Sequence, residues 1–316
     1  MSSNQPGAAA SGYLLVIVAA VLWGLIGLIS TGILAEGVSA IEVAFWRALL
    51  GGALFLVHAA VTGDLALRRR TDAMPMVAFA LVGVSLFYAS LVLAIDEGGI
   101  SLAFILLYTA PLFVIFGAWL LLGEALTARK LVLAPLAVLG IALVSWGGGT
   151  GITISAASIV WGLVSGLSYA SYYIFGKLYL NRYRPATIYA WVMPLGAVFL
   201  LPLVEFAPKS ASAWLLLGLL ALLSTYVAYL VYYTGLARVE ASKAVLVATI
   251  EPVVAVVLAA LFLGERFGPL GFAGASMILA TAVLAALPSL RRSRTERSRP
   301  ADDGSDSHGL DPSGRP

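Results

Sequence analysis

Leu107–Glu124 reads LYTAPLFVIFGAWLLLGE and Ala248–Glu265 reads ATIEPVVAVVLAALFLGE. The two stretches align with Pro111 on Pro252 and Gly123-Glu124 on Gly264-Glu265, at an offset of 141 residues. The same offset holds upstream, where Tyr88 meets Tyr229, Ser101 meets Ser242 and Ala103 meets Ala244. A fixed offset kept over this length marks a duplicated unit. How the two copies face one another then depends on the number of membrane crossings between them.

That crossings exist follows from composition. The chain is 61% hydrophobic and 11% charged, against about half and about a quarter for a soluble domain, and its mean hydropathy is +0.98. A bilayer core of roughly 30 Å takes about 20 apolar residues per helix, so 316 residues hold many spans and leave no room for a large soluble domain. There is no cysteine, which removes disulfides, thiolate metal sites and cysteine nucleophiles. The two histidines, His58 and His308, lie far apart in the sequence, so no metal centre is expected. The net charge of +3 comes from basic residues scattered through short loops, not gathered on one face, and no nucleic-acid partner is expected. The opening MSSNQPGAAA lacks the positive n-region of a secretory signal, so the first helix is expected to be retained.

Apolar runs separated by polar or glycine-rich breaks predict ten helices: 13–34, 40–61, 74–95, 100–122, 130–147, 155–177, 187–205, 212–235, 243–263 and 268–288. Basic residues alternate between the connections. Arg68, Arg69, Arg70, Arg129, Lys130, Lys177, Arg182, Arg184, Arg238, Lys243 and the tail residues Arg291, Arg292, Arg294, Arg297 and Arg299 fall on one side, and Lys209 and Arg266 on the other. Short basic loops stay cytoplasmic, which places both termini in the cytoplasm. From Arg291 to Pro316 the composition turns to Ser, Arg, Asp, Gly and Pro, and a disordered cytoplasmic tail is predicted. The expected organisation is a cytoplasmic N-terminus over 1–12, a five-helix repeat over 13–147, a linker over 148–154, a second repeat over 155–288 and the tail over 289–316.

An odd number of spans per unit reverses the second copy. The first Leu-Gly-Glu then faces the cytoplasm and the second faces outward. Inverted repeats around a midplane site are the architecture of alternating-access carriers, because two copies of one unit supply two equivalent gates. The fold predicted is all-α, with ten transmembrane helices arranged as a 5+5 inverted repeat.

Buried polar residues are the candidates for a substrate site. Arg47 lies roughly 9 Å into the second helix at 1.5 Å per residue, where an arginine must pair, hydrate or snorkel. It either reaches the outer interface or caps carbonyls, or it meets a substrate carboxylate. Glu251, roughly 12 Å into the ninth helix, precedes Pro252, whose ring frees a carbonyl one turn earlier. It either has a structural role, hydrogen-bonding the broken helix or pairing with Arg47 or Lys243, or binds a substrate ammonium or a coupling proton. Pro111 and Pro252 are the expected helix breaks and gates. Trp23, Tyr88, Tyr108, Tyr169, Tyr172, Tyr226 and Tyr229 count as deep within their helices, and a phenol in hydrocarbon needs a partner. They are read as a cavity wall suited to zwitterions, while Tyr13, Tyr189, Trp191, Tyr232 and Tyr233 are assigned to interface belts. Gly24, Gly27, Gly51, Gly52, Gly83, Gly117 and Gly162 are expected to allow close helix contact. The run Gly147 to Gly151 lacks the lysine and the strand-to-helix setting of a phosphate cradle, so neither ATP nor another cofactor is expected. The acidic pair Asp96-Glu97 has no histidine or further acid beside it in sequence, so an enzyme is not expected.

Trp23-Gly24 in the first helix, Phe45-Trp46-Arg47 in the second and the two Pro-to-Leu-Gly-Glu helices resemble the drug/metabolite transporter superfamily, EamA type, and within it YddG-like bacterial amino-acid exporters. The likeness covers about residues 12–288. It implies a basket of helices around a central cavity. The activity it implies is export of amino acids, aromatic and neutral, and related metabolites across the bacterial inner membrane. The expected partners are a small-molecule substrate and membrane lipid, with no obligatory protein partner. Facilitated diffusion and a proton-coupled multidrug exporter both stay open at this point.

Overall fold

Proline and glycine punctuate the chain, and they mark where its helices start, bend and stop. The computed structural model describes residues 6–147, 153–262 and 268–287. The predicted linker core, Glu265 and Arg266 of the second Leu-Gly-Glu turn, and the predicted tail lie outside the described residues. Among the described residues every regular element is helical, and the chain through Ala286 forms one compact unit.

The first span, α1, runs Pro6–Leu34, so residues assigned to a free N-terminus already belong to the helix. Proline suits a first helical position and the alanines after it favour helix. The second, α2, is Ala40–Val61, with the Ser39 hydroxyl accepting the Glu42 N–H as its cap. The third span is composite: α3 (Ala73–Phe79), a π segment (Ala80–Leu86) and α4 (Phe87–Leu107) run on without a loop. The predicted connection at Asp96-Glu97 shrinks to a single corner at Gly99, with φ 82° and ψ 162°. Only glycine adopts that conformation without strain. The fourth span is therefore the last part of α4 plus α5 (Ala110–Leu122). There follow α6 (Ala128–Gly147), α7 (Ala156–Tyr179) and α8 (Pro185–Leu200). The eighth span is again composite, α9 (Ala211–Ala221), a π segment (Leu222–Val227) and α10 (Ala228–Leu236). The ninth is broken into α11 (Ala241–Ala248) and α12 (Ile250–Phe262), and α13 (Pro269–Ala286) closes the bundle.

The duplication reappears as geometry. The two π segments end at Leu86 and Val227, positions that the sequence offset also pairs. In each, a hydroxyl reaches back five residues at 3.3 Å, Ser85 to the Ala80 carbonyl and Thr225 to the Leu220 carbonyl. Both long broken spans repeat one device as well. The Thr109 hydroxyl donates to Leu106 O and the Thr249 hydroxyl to Leu246 O, each at 2.6 Å, satisfying carbonyls that a continuous helix would have paired. Pro111 and Pro252 do not sit at the breaks themselves. Each falls in the first turn of the half-helix that follows, where proline costs no hydrogen bond.

The repeats interleave instead of standing side by side. The first-repeat helix α1 packs on α12 and α10, α2 on α8, and α6 on α13, while α7 packs on α4 and α5. Small residues make these contacts close. A methyl group on Gly51 would stand 2.7 Å from Thr225, and one on Gly196 would stand 2.5 Å from Val84, so each repeat presses a glycine against the other's π segment. Gly274 sits so near Gly140 that an added carbon would lie 2.4 Å from the Gly140 carbonyl.

Candidate functional site

The breaks in α4/α5 and α11/α12 bring together the residues around which a site can form. Between them Tyr108, Pro111, Tyr169, Tyr173, Val245, Ala248 and Thr249 stand around a space too small for a water molecule, so the centre is closed, filled by its own aromatic rings. Glu251 stands in the first turn of α12, where the positive end of the half-helix favours a carboxylate. Its neighbours are phenols: the Tyr169 hydroxyl donates at 3.4 Å, Tyr108 adds a second hydroxyl, and the Tyr173 hydroxyl donates to Tyr169 at 3.2 Å. Among the described residues no cation lies within 4 Å of Glu251.

Arg47 is buried and turned toward the second π segment. Its Nε donates to Thr225 Oγ1 at 2.8 Å and Nη2 to the Ser224 carbonyl at 3.3 Å. The guanidinium lies 5.5 Å from the Tyr88 ring centre. A π segment exposes carbonyls that an α-helix keeps paired, and an arginine fork suits such a cluster of acceptors. Arg47 therefore does not snorkel to an interface, and Glu251 acts on it through space without contact.

The aromatic wall joins these two charged groups. Tyr172 stacks on Tyr229 with centroids 5.7 Å apart, Trp23 meets Tyr229 edge-on at 5.6 Å, and Tyr169 lies 6.1 Å from Tyr172. Phe87 lies against Tyr88, Tyr169 and Tyr172. Eight of the predicted side chains thus fall in one region: Trp23, Arg47, Tyr88, Tyr108, Tyr169, Tyr172, Tyr229 and Glu251. Tyr226 is the exception, because its hydroxyl is committed to His58 Nδ1 at 2.7 Å and its ring packs on Phe55.

The belt assignment is overturned for three residues. Tyr189, Tyr232 and Tyr233 are fully buried, with Tyr189 on Tyr229 at 4.6 Å and Tyr232 on Trp23 at 4.9 Å. The overlooked signal is a helical pattern: Tyr169, Tyr172 and Tyr173 repeat the i, i+3, i+4 spacing of Tyr229, Tyr232 and Tyr233, the spacing of one helix face. Tyr13 packs partly buried against the core, and Trp191, partly exposed, donates to Leu65 O at 2.9 Å.

Two buried acids missed by residue counting tie the ends of spans. Glu42 has no exposed surface and accepts from Trp46 Nε1 at 3.0 Å, from Ala207 N at 3.1 Å and from Lys209. Glu124, from the first Leu-Gly-Glu, accepts from Ala241 N at 2.6 Å and from the Ser242 N–H and hydroxyl, and it pairs with Lys130 at 3.3 Å. Lys130 in turn reaches Glu240 at 2.8 Å. The motif glutamate of the first repeat thus caps the ninth span, in the second.

Ten apolar spans built from two interleaved units, with a centre poor in charge and rich in phenols, define a multi-span membrane transporter. The chain belongs to the EamA-like transporter family, whose model matches residues 10–146 and again 156–287. The double match is the duplication itself. An uncharacterized inner membrane transporter, YicL of Salmonella typhimurium, is 28% identical over 300 residues, covering 91% of this chain and 99% of that one. A probable terminal-alkyne amino-acid exporter of Streptantibioticus cattleyicolor is 28% identical over 249 residues, covering 77% and 83%. A solved crystal structure superposes with a TM-score of 0.75 at 17% identity, covering 87% of this chain and 96% of that one, a likeness of fold alone.

Proposed function

We propose that the protein is a secondary carrier that exports amino acids, aromatic and neutral, and related metabolites across a bacterial inner membrane by alternating access, with both termini cytoplasmic. The observation that carries this reading is the pairing of a buried cation with a half-buried anion that do not touch. Arg47 and Glu251 form no ion pair within 4 Å, and aromatic rings stand around and between them. An α-amino acid carries an ammonium and a carboxylate on one carbon. Its ammonium fits Glu251, its carboxylate fits Arg47, and its side chain lies against rings that select by area more than by shape. The nearly closed centre fits a carrier with its site shut, and the two broken spans are the gates that would open it in turn. The relative in Streptantibioticus cattleyicolor, described as a probable amino-acid exporter, points the same way.

A second reading, a proton-coupled exporter of drugs or other small metabolites, draws on the relay from Tyr173 through Tyr169 to Glu251. Counterflow of labelled amino acids in proteoliposomes, with and without a pH gradient, separates the two. Saturable counterflow that Glu251→Gln lowers at least tenfold, with no response to the gradient in the wild type, is the expected result. No amino-acid counterflow, together with gradient-driven dye export, would give the case to the second reading.

A further inference from the structure

Several phenols of the central cluster find partners within the chain. Tyr233 donates to the Tyr172 carbonyl at 3.0 Å, Tyr173 to Tyr169, and Tyr169 to Glu251. Tyr172 meets the Tyr229 hydroxyl and Tyr189 the Tyr233 hydroxyl, whereas Trp23 Nε1 and the hydroxyls of Tyr88 and Tyr232 are buried without a hydrogen-bond partner. The Trp23 and Tyr232 groups are not scattered, because Trp23 lies on the Tyr229 ring and Tyr232 lies on Trp23. Burying a polar group unmet costs about as much as losing a hydrogen bond outright, and phenylalanine would fill the Tyr232 position, 1% exposed, without that cost. Unmet donors side by side call for a ligand that the chain does not supply.

The chemistry of the pair Trp23 and Tyr232 narrows what that ligand offers. Their rings are 4.9 Å apart, and Trp23 is 5% exposed. An indole N–H donates and never accepts, while a phenol does both. The group that satisfies both must therefore be an acceptor oxygen. It is not the substrate carboxylate, for which Arg47 is the charged partner, nor the ammonium, for which Glu251 is.

We propose that Trp23 on α1 and Tyr232 on α10 form a second subsite that receives a side-chain oxygen of the substrate, a hydroxyl or an amide carbonyl, and so sets the preference among neutral amino acids. The subsite rests on the amino-acid reading above. It adds Tyr232 to the specificity-determining residues and gives the Trp23 N–H a definite role.

The test is Tyr232→Phe in the full-length carrier, read two ways beside Tyr233→Phe, whose hydroxyl is already spent on Tyr172. The first readout is the thermal midpoint of ligand-free protein. The second is the ratio of inhibition constants for glutamine and threonine against leucine and valine in counterflow. Tyr232→Phe is expected to keep or raise the midpoint, to weaken glutamine and threonine about three- to tenfold, the worth of one neutral hydrogen bond, and to leave leucine and valine unchanged. Tyr233→Phe is expected to lower the midpoint and leave the ratio alone. A Tyr232→Phe carrier with an unchanged ratio, or with a midpoint that falls as for Tyr233→Phe, overturns the subsite while the amino-acid reading survives. A wild type without counterflow of any amino acid overturns that reading, and the subsite with it.

Discussion

Removing the Glu124 carboxylate should loosen the bundle where the two repeats are tied, and the size of the effect can be built from its contacts. The side chain is 10% exposed. It accepts the N–H groups of Ala241 and Ser242 and the Ser242 hydroxyl, which together cap α11, and it pairs with Lys130. Losing a cap costs about 0.5–2 kcal/mol. Breaking a buried pair costs about 3–5 kcal/mol when the remaining charge is left alone, but Lys130 keeps Glu240 and the Ala125 carbonyl, so the lower part of that cost applies. Glu124→Ala should then destabilise by about 2–4 kcal/mol. Glu124→Gln retains an acceptor oxygen without the charge and should cost about half as much. At about 2–4 °C per kcal/mol for a chain of this size, the alanine variant should melt about 4–16 °C lower, as read by tryptophan fluorescence of detergent-purified protein. The chain has no cysteine, so a single Val239→Cys, at a position now 6% exposed, reports opening of this end by its maleimide labelling rate, which Glu124→Ala should raise. A midpoint shifted no more than by Glu97→Ala, with unchanged labelling, would refute the idea that this carboxylate ties the ninth span to the first repeat.

Arg47→Lys should reduce transport at least tenfold, because a lysine lacks the fork that grips a carboxylate, and should also lower the melting point, because it cannot meet Thr225 and Ser224 together; counterflow beside thermal unfolding checks both halves. Gly274→Ala should cost about 1–3 kcal/mol, since its new carbon meets the Gly140 carbonyl, which cannot rotate away. Gly27→Ala, with open space around it in α1, should be neutral or stabilise by about 0.5–1 kcal/mol, and paired melting curves distinguish the two glycines. Burial pushes the Glu240 carboxyl up, but hydrogen bonds and charge from Lys130 and Lys243 outweigh it and hold Glu240 below the usual glutamate range. A carboxyl lowered by folding stabilises above its unfolded value, about 4.3, and that contribution disappears as the pH falls through the lowered value. Glu240→Gln should therefore lower the midpoint modestly at pH 7, where the ionised carboxylate contributes in full, and flatten the acid limb, so that the two profiles converge as the pH falls below about 4.3.

The ten spans were legible because their signals are local: apolar length, alternation of basic loops, and a long offset between like motifs. The π segments were not, since Ala80–Leu86 and Leu222–Val227 differ from ordinary apolar helix only in how their hydroxyls are met by the other repeat. The corner at Gly99 was hidden for a related reason. Asp96 and Glu97 read as loop by charge, yet the helix continues through them and glycine alone makes the turn. Depth counted in residues singled out Arg47 and Glu251 but passed over Glu42 and Glu124, whose surroundings are created by Lys209 and by Ala241-Ser242, more than a hundred residues away. Belt tyrosines and wall tyrosines carry the same residue type at similar depth. Only the shared i, i+3, i+4 spacing in α7 and α10 separates Tyr232 and Tyr233 from a belt, and for Tyr189 the sequence offers no such mark.

The frame of this transporter is two-fold while its chemistry is not. Glycine against π segment occurs twice, as Gly51 on Thr225 and Gly196 on Val84, and threonine back to a leucine carbonyl occurs twice at the broken spans. Contacts repeated in this way give the two broken spans similar packing, which suits the alternating mechanism proposed above, where neither state should trap the carrier. The charged groups break the equivalence. Glu251 has Ala110 as its counterpart by the sequence offset, and Ala110 is fully buried, whereas Glu251 is only half-buried. Moving the acid across, as Ala110→Glu with Glu251→Ala, would therefore place a carboxylate in closed packing at a cost of several kcal/mol, instead of giving a mirror image of the native site. The asymmetry is set by the packing around each break as much as by the residue in it, so under the mechanism proposed above the substrate would meet a different surface at each broken span even though the two spans are copies of one another.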